Sequence, residues 1–424
     1  MKYQMKAINE ATRQFVQEHR QDDVRKLALQ AAKHPEVDLS FALDQIAGWQ
    51  TARKKLPSWA ACEGIIYPPH LNMEQCSSEQ TARYKASKAS PSRGRLEGAS
   101  FVDLTGGFGV DFFFMSQDFE ERVYVEQNPQ LCAISSNNFE KLGLQATIVN
   151  ADAETYLQTM APADVIYMDP ARRNEHGGRT YGIADCTPNI LELLPLIATK
   201  TQRLVLKLSP MLDWRKAVED LTHPQPLAKG GKKVFRVSEV HIISVDNECK
   251  ELLMVCEGGV KEVKGVKEVK LVCVNIFSKG GEERFEINPQ PSAKPIPQPS
   301  TFNPQPSFLF APNASVMKAG CFTELAQRFQ LQQLADNSHL FLADEINPLL
   351  PGRLFRIEAV STMNKKSLQQ MLADTSSANI SVRNFPMSVA ELRKRLKLKD
   401  GGDVYLFATT LSSGKHILIK TRKA

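Results

Sequence analysis

The chain has 424 residues, 42% hydrophobic and 24% charged, values close to the globular average that exclude a disordered, collagenous or coiled-coil protein. No apolar run reaches the roughly 18–20 residues of a membrane helix, and the N-terminus lacks the apolar stretch of a signal peptide, so the expected location is cytoplasmic, with no membrane partner. Eight scattered cysteines without a Cys-x-x-Cys pair read as reduced thiols, and no metal is expected. Residues 1–98 predict a helical domain, with helix formers at Asp22–Lys33 and Ala42–Arg53. Ser77-Ser-Glu-Gln80 has the form of a capping box, Ser77 as N-cap and Gln80 at the third helical position, opening a helix toward Lys88. Thr81, Tyr84, Lys85 and Lys88 share one face of that helix, suited to packing within the domain or to covering a ligand.

Residues 99–258 change to short apolar runs at Ser100–Leu104, Arg122–Val125, Ala146–Val149, Asp164–Met168, Arg203–Leu206, Val240–Val245 and Leu252–Val255. The first five alternate with helix-length segments, the βαβ pattern of a parallel sheet covered on both faces, and the last two predict an antiparallel pair at its end. Residues 259–335 begin with a short repeat, Val260-Lys-Glu-Val-Lys and Val266-Lys-Glu-Val-Lys, which reads as a strand extension or loop insert. A hairpin follows, Leu271–Phe277 with Glu283–Ile287, then a stiff proline-rich linker over Asn288–Pro312 and a helix over Val316–Leu334. Residues 336–424 predict a separate α+β domain with strands at Ser338–Ala343, Leu354–Val360, Ile380–Val382 and Val404–Thr410.

The strongest motif is Val102-Asp-Leu-Thr-Gly-Gly-Phe-Gly-Val-Asp111, between the first strand of the sheet and a helix. Gly106, Gly107 and Gly109 let the backbone turn sharply and approach a ligand. A dinucleotide fingerprint would need a further glycine where Phe112 stands, so a pyrophosphate cofactor is disfavoured. S-adenosylmethionine, which has no phosphate, suits the loop better. Asp103 ends the first strand near the methionine end of such a ligand, with Thr105 and the glycines beside it. Glu126 lies twenty residues after Gly106 and ends the second strand, where a carboxylate accepts ribose hydroxyls. Asp152 follows the third strand, in reach of the adenine amino group, and Asp169-Pro170 ends the fourth, beside the transferable methyl. A single acid there is often a helix cap; four on consecutive strands mark the crevice where open α/β sheets bind ligands.

These residues, Asp103–Asp111, Glu126, Asp152 and Met168-Asp-Pro-Ala-Arg-Arg173, resemble the class I S-adenosylmethionine-dependent methyltransferases. The string Ile65–Ala86 and the endings Ser381-Val-Arg-Asn-Phe-Pro386 and Lys397–Phe407 resemble one bacterial group among them. That likeness implies a Rossmann-like sheet domain, a ferredoxin-like segment and a C-terminal THUMP-like domain. The loop Asp169-Pro-Ala-Arg172 lacks the second proline and the aromatic of base-amino methyltransferases, although the Arg172 guanidinium can stack on a base or grip a phosphate. Leu206-Lys-Leu-Ser-Pro210 holds no cysteine, which excludes the covalent route of the uridine-5 enzymes. Lys207 in that segment would face Asp169 as an ion pair or a substrate contact.

The whole formal excess of +6 falls in residues 321–424. Ser388-Val-Ala-Glu391 is a second capping box, Gly401-Gly402 marks the expected helix stop, and the segment between exposes Arg393, Lys394, Arg395 and Lys397, beside Arg383 and Phe385. A basic domain suits an anionic partner, and the THUMP-like resemblance implies RNA. The expected function is S-adenosylmethionine-dependent methylation of a base in structured RNA, tRNA or rRNA. Asp169, Pro170, Arg172 and Lys207 would surround the acceptor. Methylation of a protein or small molecule, and cofactor binding without catalysis, remain open alternatives at this stage.

Overall fold

The computed structural model describes residues 8–29, 34–89, 98–172, 182–222, 234–260, 269–288 and 308–424. The Val260–Lys270 repeat and the proline-rich stretch up to residue 307 lie almost wholly outside them. The chain forms two compact units, residues 1–240 with 251–266, and residues 241–250 with 267–424.

The first unit opens with helices α1 (Glu10–Glu18), α2 (Val24–Ala28), α3 (Leu39–Lys55), α4 (Pro57–Ala60), α5 (His70–Gln75) and α6 (Glu79–Ala89). Asn9, Asp23 and Asp38 cap the first three by accepting backbone N–H bonds, and Pro57 starts the fourth, where its missing N–H costs nothing. The cap of α6 falls on Ser78, whose hydroxyl accepts from Thr81 N, and not on Ser77 as the motif suggests. Ser77 turns inward to ionic partners instead.

Next come β1 (Ser100–Asp103), α7 (Val110–Met115), β2 (Glu121–Glu126), α8 (Pro129–Lys141), β3 (Thr147–Asn150), α9 (Ala153–Thr159) and β4 (Val165–Met168). A short ribbon pairs β5 (Ala171–Arg172) with β6 (Cys186–Thr187), before α10 (Ile190–Lys200), β7 (Arg203–Leu208), α11 (Trp214–Thr222) and the hairpin strands β8 (Val234–Val245) and β9 (Glu248–Val260). The order runs β3-β2-β1-β4-β7-β9, parallel up to β7 and antiparallel at β9. All of β4 is buried, as a central strand covered on both faces must be. Chain order reverses between β1 and β4, so the carboxyl ends of the strands open a crevice there.

Residues 65–86 tie the helices to this sheet. Asn138 of α8 accepts from Ile66 N and donates to Ile66 O, both at 2.8 Å, while Gln45 of α3 brackets Tyr67 N and O. Trp59, fully buried, sets its ring 5.0 Å from Phe108 and 5.7 Å from Phe113. Helix α6 packs on α7 through Thr81, Ala82, Tyr84 and Lys85, so the face predicted from spacing is a packing face.

In the second unit the hairpin tip is joined by β10 (Lys270–Ile276) and β11 (Glu282–Ile287), the antiparallel pair expected. Then follow β12 (Phe308–Pro312), α12 (Ala314–Ala319), α13 (Phe322–Phe329), β13 (Gln332–Gln333), β14 (Phe341–Ala343), β15 (Gly352–Thr362), α14 (Lys365–Met371), β16 (Asn379–Arg383), α15 (Val389–Leu396), β17 (Val404–Thr410) and β18 (His416–Lys423). They form a sheet of order β13-β14-β12-β15-β18-β17-β16. One face buries Leu309, Leu340, Phe355, Phe407 and Ile419; the other buries Leu406 and Leu418 beneath Leu368 of α14 and Leu392 of α15.

Four expectations fail here for local reasons. Phe308–Pro312 is no linker: all five residues are buried between β14 and β15, an apolar central strand masked by neighbouring prolines. The expected helix Val316–Leu334 breaks at Gly320, φ 66°, into α12 and α13. The strand expected from Ser338 starts only at Phe341, because His339 sits at φ 49°. Helix α15 stops at Lys397, itself at φ 58°, before Gly401 is reached. Strand β18 has no counterpart among the predicted strands.

Candidate functional site

The glycine loop is shaped by what lies behind it. A Cβ on Gly106 would fall 2.2 Å from Tyr124 Cε2, and Gly109, at φ 83°, would set one 2.7 Å from Phe139 Cζ. Phe112 is fully buried against Phe139 and Tyr124, with centroids 5.2 and 5.6 Å away. It fills the space where a dinucleotide loop would need glycine. The Tyr124 hydroxyl donates to Gly107 O and accepts from Ser135, fixing the loop from beneath.

The four strand-end acids are held in different ways. Asp103 is buried and accepts from Thr105 N at 2.9 Å and Thr105 Oγ1 at 3.3 Å. That hydroxyl in turn accepts from Asp169 N at 2.6 Å, so Thr105 bridges the ends of β1 and β4. Glu126 accepts from Gly107 N at 2.8 Å and Asn128 N at 2.7 Å, one bond on each oxygen, which leaves each able to accept another. Asp152 is exposed and caps α9 through Thr155 N at 2.8 Å, a bond that holds its carboxyl below the usual range. The ends of β1 and β4 thus meet closely, while Asp152 serves a helix.

Lys207 and Lys85 centre an ionic cluster that the sequence revealed only at the Lys207–Asp169 pair. Lys207 Nζ stands 2.5 Å from Asp169 Oδ2, the pairing expected, and 4.0 Å from Asp111 Oδ2. Lys85, fully buried on α6, donates to Ser77 Oγ at 2.6 Å and Glu251 Oε2 at 2.9 Å. It also makes an ion contact of 2.9 Å to Asp111 Oδ1, too poorly aligned for a directed hydrogen bond. Asp111 Oδ2 accepts from Ser77 and Tyr167, each at 2.8 Å. Burial pushes the Asp111 carboxyl up, but Lys85 and Lys207 outweigh it and hold the group below its ordinary value. Burial likewise opposes the Lys207 charge, yet Asp169, Asp111 and Glu251 keep its pKa above the usual lysine range.

Asp103 is the exception. Among the described residues it has no cationic partner; burial first, then the charges of Asp111 and Asp169, push its carboxyl well above the ordinary value. A buried acid with acids around it, next to an open glycine loop, is electrostatically suited to a ligand bearing positive charge. Among the described residues no group of three His, Cys, Asp or Glu is placed to hold a metal.

Pro170 follows Asp169, and the backbone of Arg172 lies on β5 paired with Cys186, a buried thiol. Residues 173–181, including Arg173, lie outside the described residues. Of the basic residues, Lys394, Arg395 and Lys397 are exposed, but Arg393 is committed. Its guanidinium donates to Ala378 O and Lys399 O, each at 2.9 Å, and to Asp400 at 2.6 Å. This corrects the expectation that Arg393 is exposed: the turn after α15 sets Lys399 O and Asp400 against it, and the residue before β16 adds Ala378 O. Arg383 is half-buried and lies apart, on β16.

The THUMP domain-like family matches residues 352–423, and a ferredoxin-like domain family matches residues 308–351. A crystal structure of a candidate methyltransferase from Porphyromonas gingivalis W83 superposes with a TM-score of 0.82 at 28% identity, covering 99% of this chain and 100% of that one. This chain is a methyltransferase-fold protein with a C-terminal THUMP-like domain. Two smaller solved proteins resemble parts of it: TrmK of M. capricolum bound to S-adenosyl-homocysteine (12% identity, 41% of this chain, 66% of that one, TM-score 0.29), and an rRNA methylase from Streptococcus thermophilus (14%, 42%, 94%, 0.27). Comparison with curated protein sequences gives no match.

In this methyltransferase-fold protein, sequence reading reached the loop and strand-end residues because each belongs to one local motif. Lys85, Asp111 and Glu251 come from three distant segments. Only the oddity of a lysine on the apolar face of α6 could have flagged them. No helix among the described residues is long and apolar enough to cross a membrane.

Proposed function

We propose that the first unit transfers a methyl group from S-adenosylmethionine to a base in structured RNA, tRNA or rRNA, and that the THUMP-like domain helps to hold that RNA. The observation that carries the cofactor assignment is Asp103, buried beside the glycine loop with no cationic partner among the described residues, so that burial pushes its carboxyl up. The sulfonium cofactor supplies an electrophilic methyl for in-line displacement, so the protein has mainly to orient donor and acceptor. Gly106, Gly107 and Gly109 let the backbone approach it, Asp103 would take the methionine ammonium, and Glu126 would accept the ribose hydroxyls while anchored by Gly107 and Asn128. Asp152 would meet the adenine edge from the start of α9. Asp169 has one oxygen on Lys207, which leaves the other to accept a proton-bearing atom of the acceptor. Pro170 and Arg172, which follow Asp169 in the chain, would line the path by which a base enters. The full-length likeness to the Porphyromonas protein supports methyl transfer; the basic C-terminal region and its family match support RNA.

Calorimetry tests the first half: S-adenosylmethionine and S-adenosylhomocysteine should bind and NAD should not. Glu126→Ala should weaken binding by roughly 1–3 kcal/mol, the cost of leaving hydroxyls without their charged acceptor. Comparing modified nucleosides in RNA from a deletion strain and its parent tests the second half. Unaltered RNA modification would remove the RNA assignment while leaving cofactor binding intact.

A further inference from the structure

The sheet of the second unit carries a polar cluster on the face opposite α15. Phe355 meets Phe407 edge-on, with centroids 4.9 Å apart, and lies tilted 5.0 Å from Tyr405, so side chains of β15 and β17 meet across β18 on this face. Thr409 lies two residues beyond Phe407, on the same face, and the parallel register sets Arg383 beside it. Leu340 packs into the same core as Phe407 and Ile417, which brings its neighbour His339 to the edge of that face. Arg353 begins the face from β15, its guanidinium 5.7 Å from the Phe355 ring.

What His339 Nδ1, Arg383 and Thr409 lack is a partner among the described residues. Thr409 is fully buried, and its hydroxyl has no hydrogen bond among the described residues. His339 Nδ1 is shielded from solvent and equally unpaired, although the ring is fixed by stacking 4.3 Å from Phe322 in a strained left-handed backbone. Arg383 is half-buried with no ion pair or hydrogen bond among the described residues. Burial, then Arg353, pushes the Arg383 pKa down; burial, then Arg383, pushes that of His339 down, as expected of like charges without a counter-ion. The carboxylate that Arg353 senses, Glu283, accepts through one oxygen from Asn313 at 2.8 Å and Asn275 at 3.4 Å. Native proteins rarely leave two buried polar atoms unpaired next to an uncompensated guanidinium. A ligand with several acceptor oxygens and negative charge would pair all of them at once.

We propose that His339, Arg353, Arg383 and Thr409 form a phosphate-binding site on the sheet face of the THUMP-like domain, and that it takes a phosphate of the RNA. The source of the phosphate rests on the RNA reading above; the site itself does not. It displaces the expected interface from the outer face of α15, where Arg393 is already committed, to the opposite side of the sheet.

The test uses the full chain, with a fluorescently labelled tRNA transcript and inorganic phosphate as probes. Arg383→Gln should weaken RNA binding at least tenfold and lower the slope of log affinity against log salt by about 0.7–0.9, the loss of one phosphate contact. Thr409→Val, which keeps shape and removes only the hydroxyl, should weaken binding several-fold while the free protein melts no lower than wild type; a purely structural hydroxyl would give the reverse. Cofactor affinity should be unchanged in both. RNA binding that is intact in both variants overturns the site and leaves the RNA reading standing. Inorganic phosphate bound in a manner sensitive to Arg383→Gln, with no RNA binding, keeps the site and overturns the RNA reading. Neither probe bound by wild type overturns both.

Discussion

Replacing Lys85 by methionine should damage the first unit more than any surface change. The methionine stem keeps most of the volume, so the loss is almost wholly electrostatic. In the native protein the Lys85 ammonium is fully buried and serves Ser77, Glu251 and Asp111 within 2.6–2.9 Å. Without it, Asp111 and Glu251, whose side chains are 11% and 4% exposed, keep among the described residues only Lys207 near them, and that group already stands 2.5 Å from Asp169. Breaking a buried pair by removing one partner costs about 3–5 kcal/mol; for a unit of this size that lowers Tm by roughly 6–20 °C. The deficit carries a pH signature. In the wild type the Asp111 carboxyl lies below its ordinary value of 3.8, so its stabilisation is present above pH 3.8 and fades as pH falls through the lower native value. In Lys85→Met the largest influence opposing burial is gone and only Lys207 and the Ser77 hydrogen bond still lower the Asp111 carboxyl, so it rises, and the penalty is largest at neutral pH and shrinks toward pH 4. Thermal melts from pH 4 to pH 8 measure this directly. The triple change with Asp111→Asn and Glu251→Gln should regain part of the loss at pH 7. A Lys85→Met protein as stable as wild type, or one whose deficit does not depend on pH, would refute the assignment of Lys85 as the counter-ion.

Asp103→Asn should reverse the usual cost of a core change. The raised native carboxyl makes wild-type stability fall as pH climbs from 3.8 toward that native value, and the asparagine variant, free of this slope, should overtake it in melts at neutral pH. The same variant should bind S-adenosylmethionine roughly tenfold or more weakly, as expected for a lost charge-assisted bond, with calorimetry as the readout. Asp169→Asn should abolish methyl transfer yet leave cofactor affinity within a few-fold; equal losses in both would move the acceptor position elsewhere. Gly106→Ala should cost about 1–3 kcal/mol through the clash with Tyr124, seen by urea unfolding. Arg393→Glu should destabilise the second unit by breaking its bonds to Ala378, Lys399 and Asp400, whereas exposed Lys394→Glu should leave the melting curve unchanged.

What the sequence determined by itself is the part written in contiguous signals. Apolar runs at Ser100, Val165 and Arg203 announce strands because a strand buried on both faces cannot alternate. The glycines announce the loop, and acids next to strand ends fall at one crevice because every parallel strand ends on the same side. Even the Lys207–Asp169 pair was legible, since strands four and five are neighbours in such a sheet. Tertiary structure alone decided which charges meet across the fold. Lys85 finds Asp111 and Glu251 only when α6 docks on the sheet, because ion pairing depends on distance in space and on burial, neither of which has a period in sequence. The same holds for Arg393, which a helical wheel exposes but a left-handed turn at Lys397 draws into hydrogen bonds, and for Phe308–Pro312, whose apolar run was outvoted by the prolines before it. Arg383 and Thr409 meet only because β16 pairs with β17 in parallel register, a neighbour relation that nothing in either segment's own sequence announces.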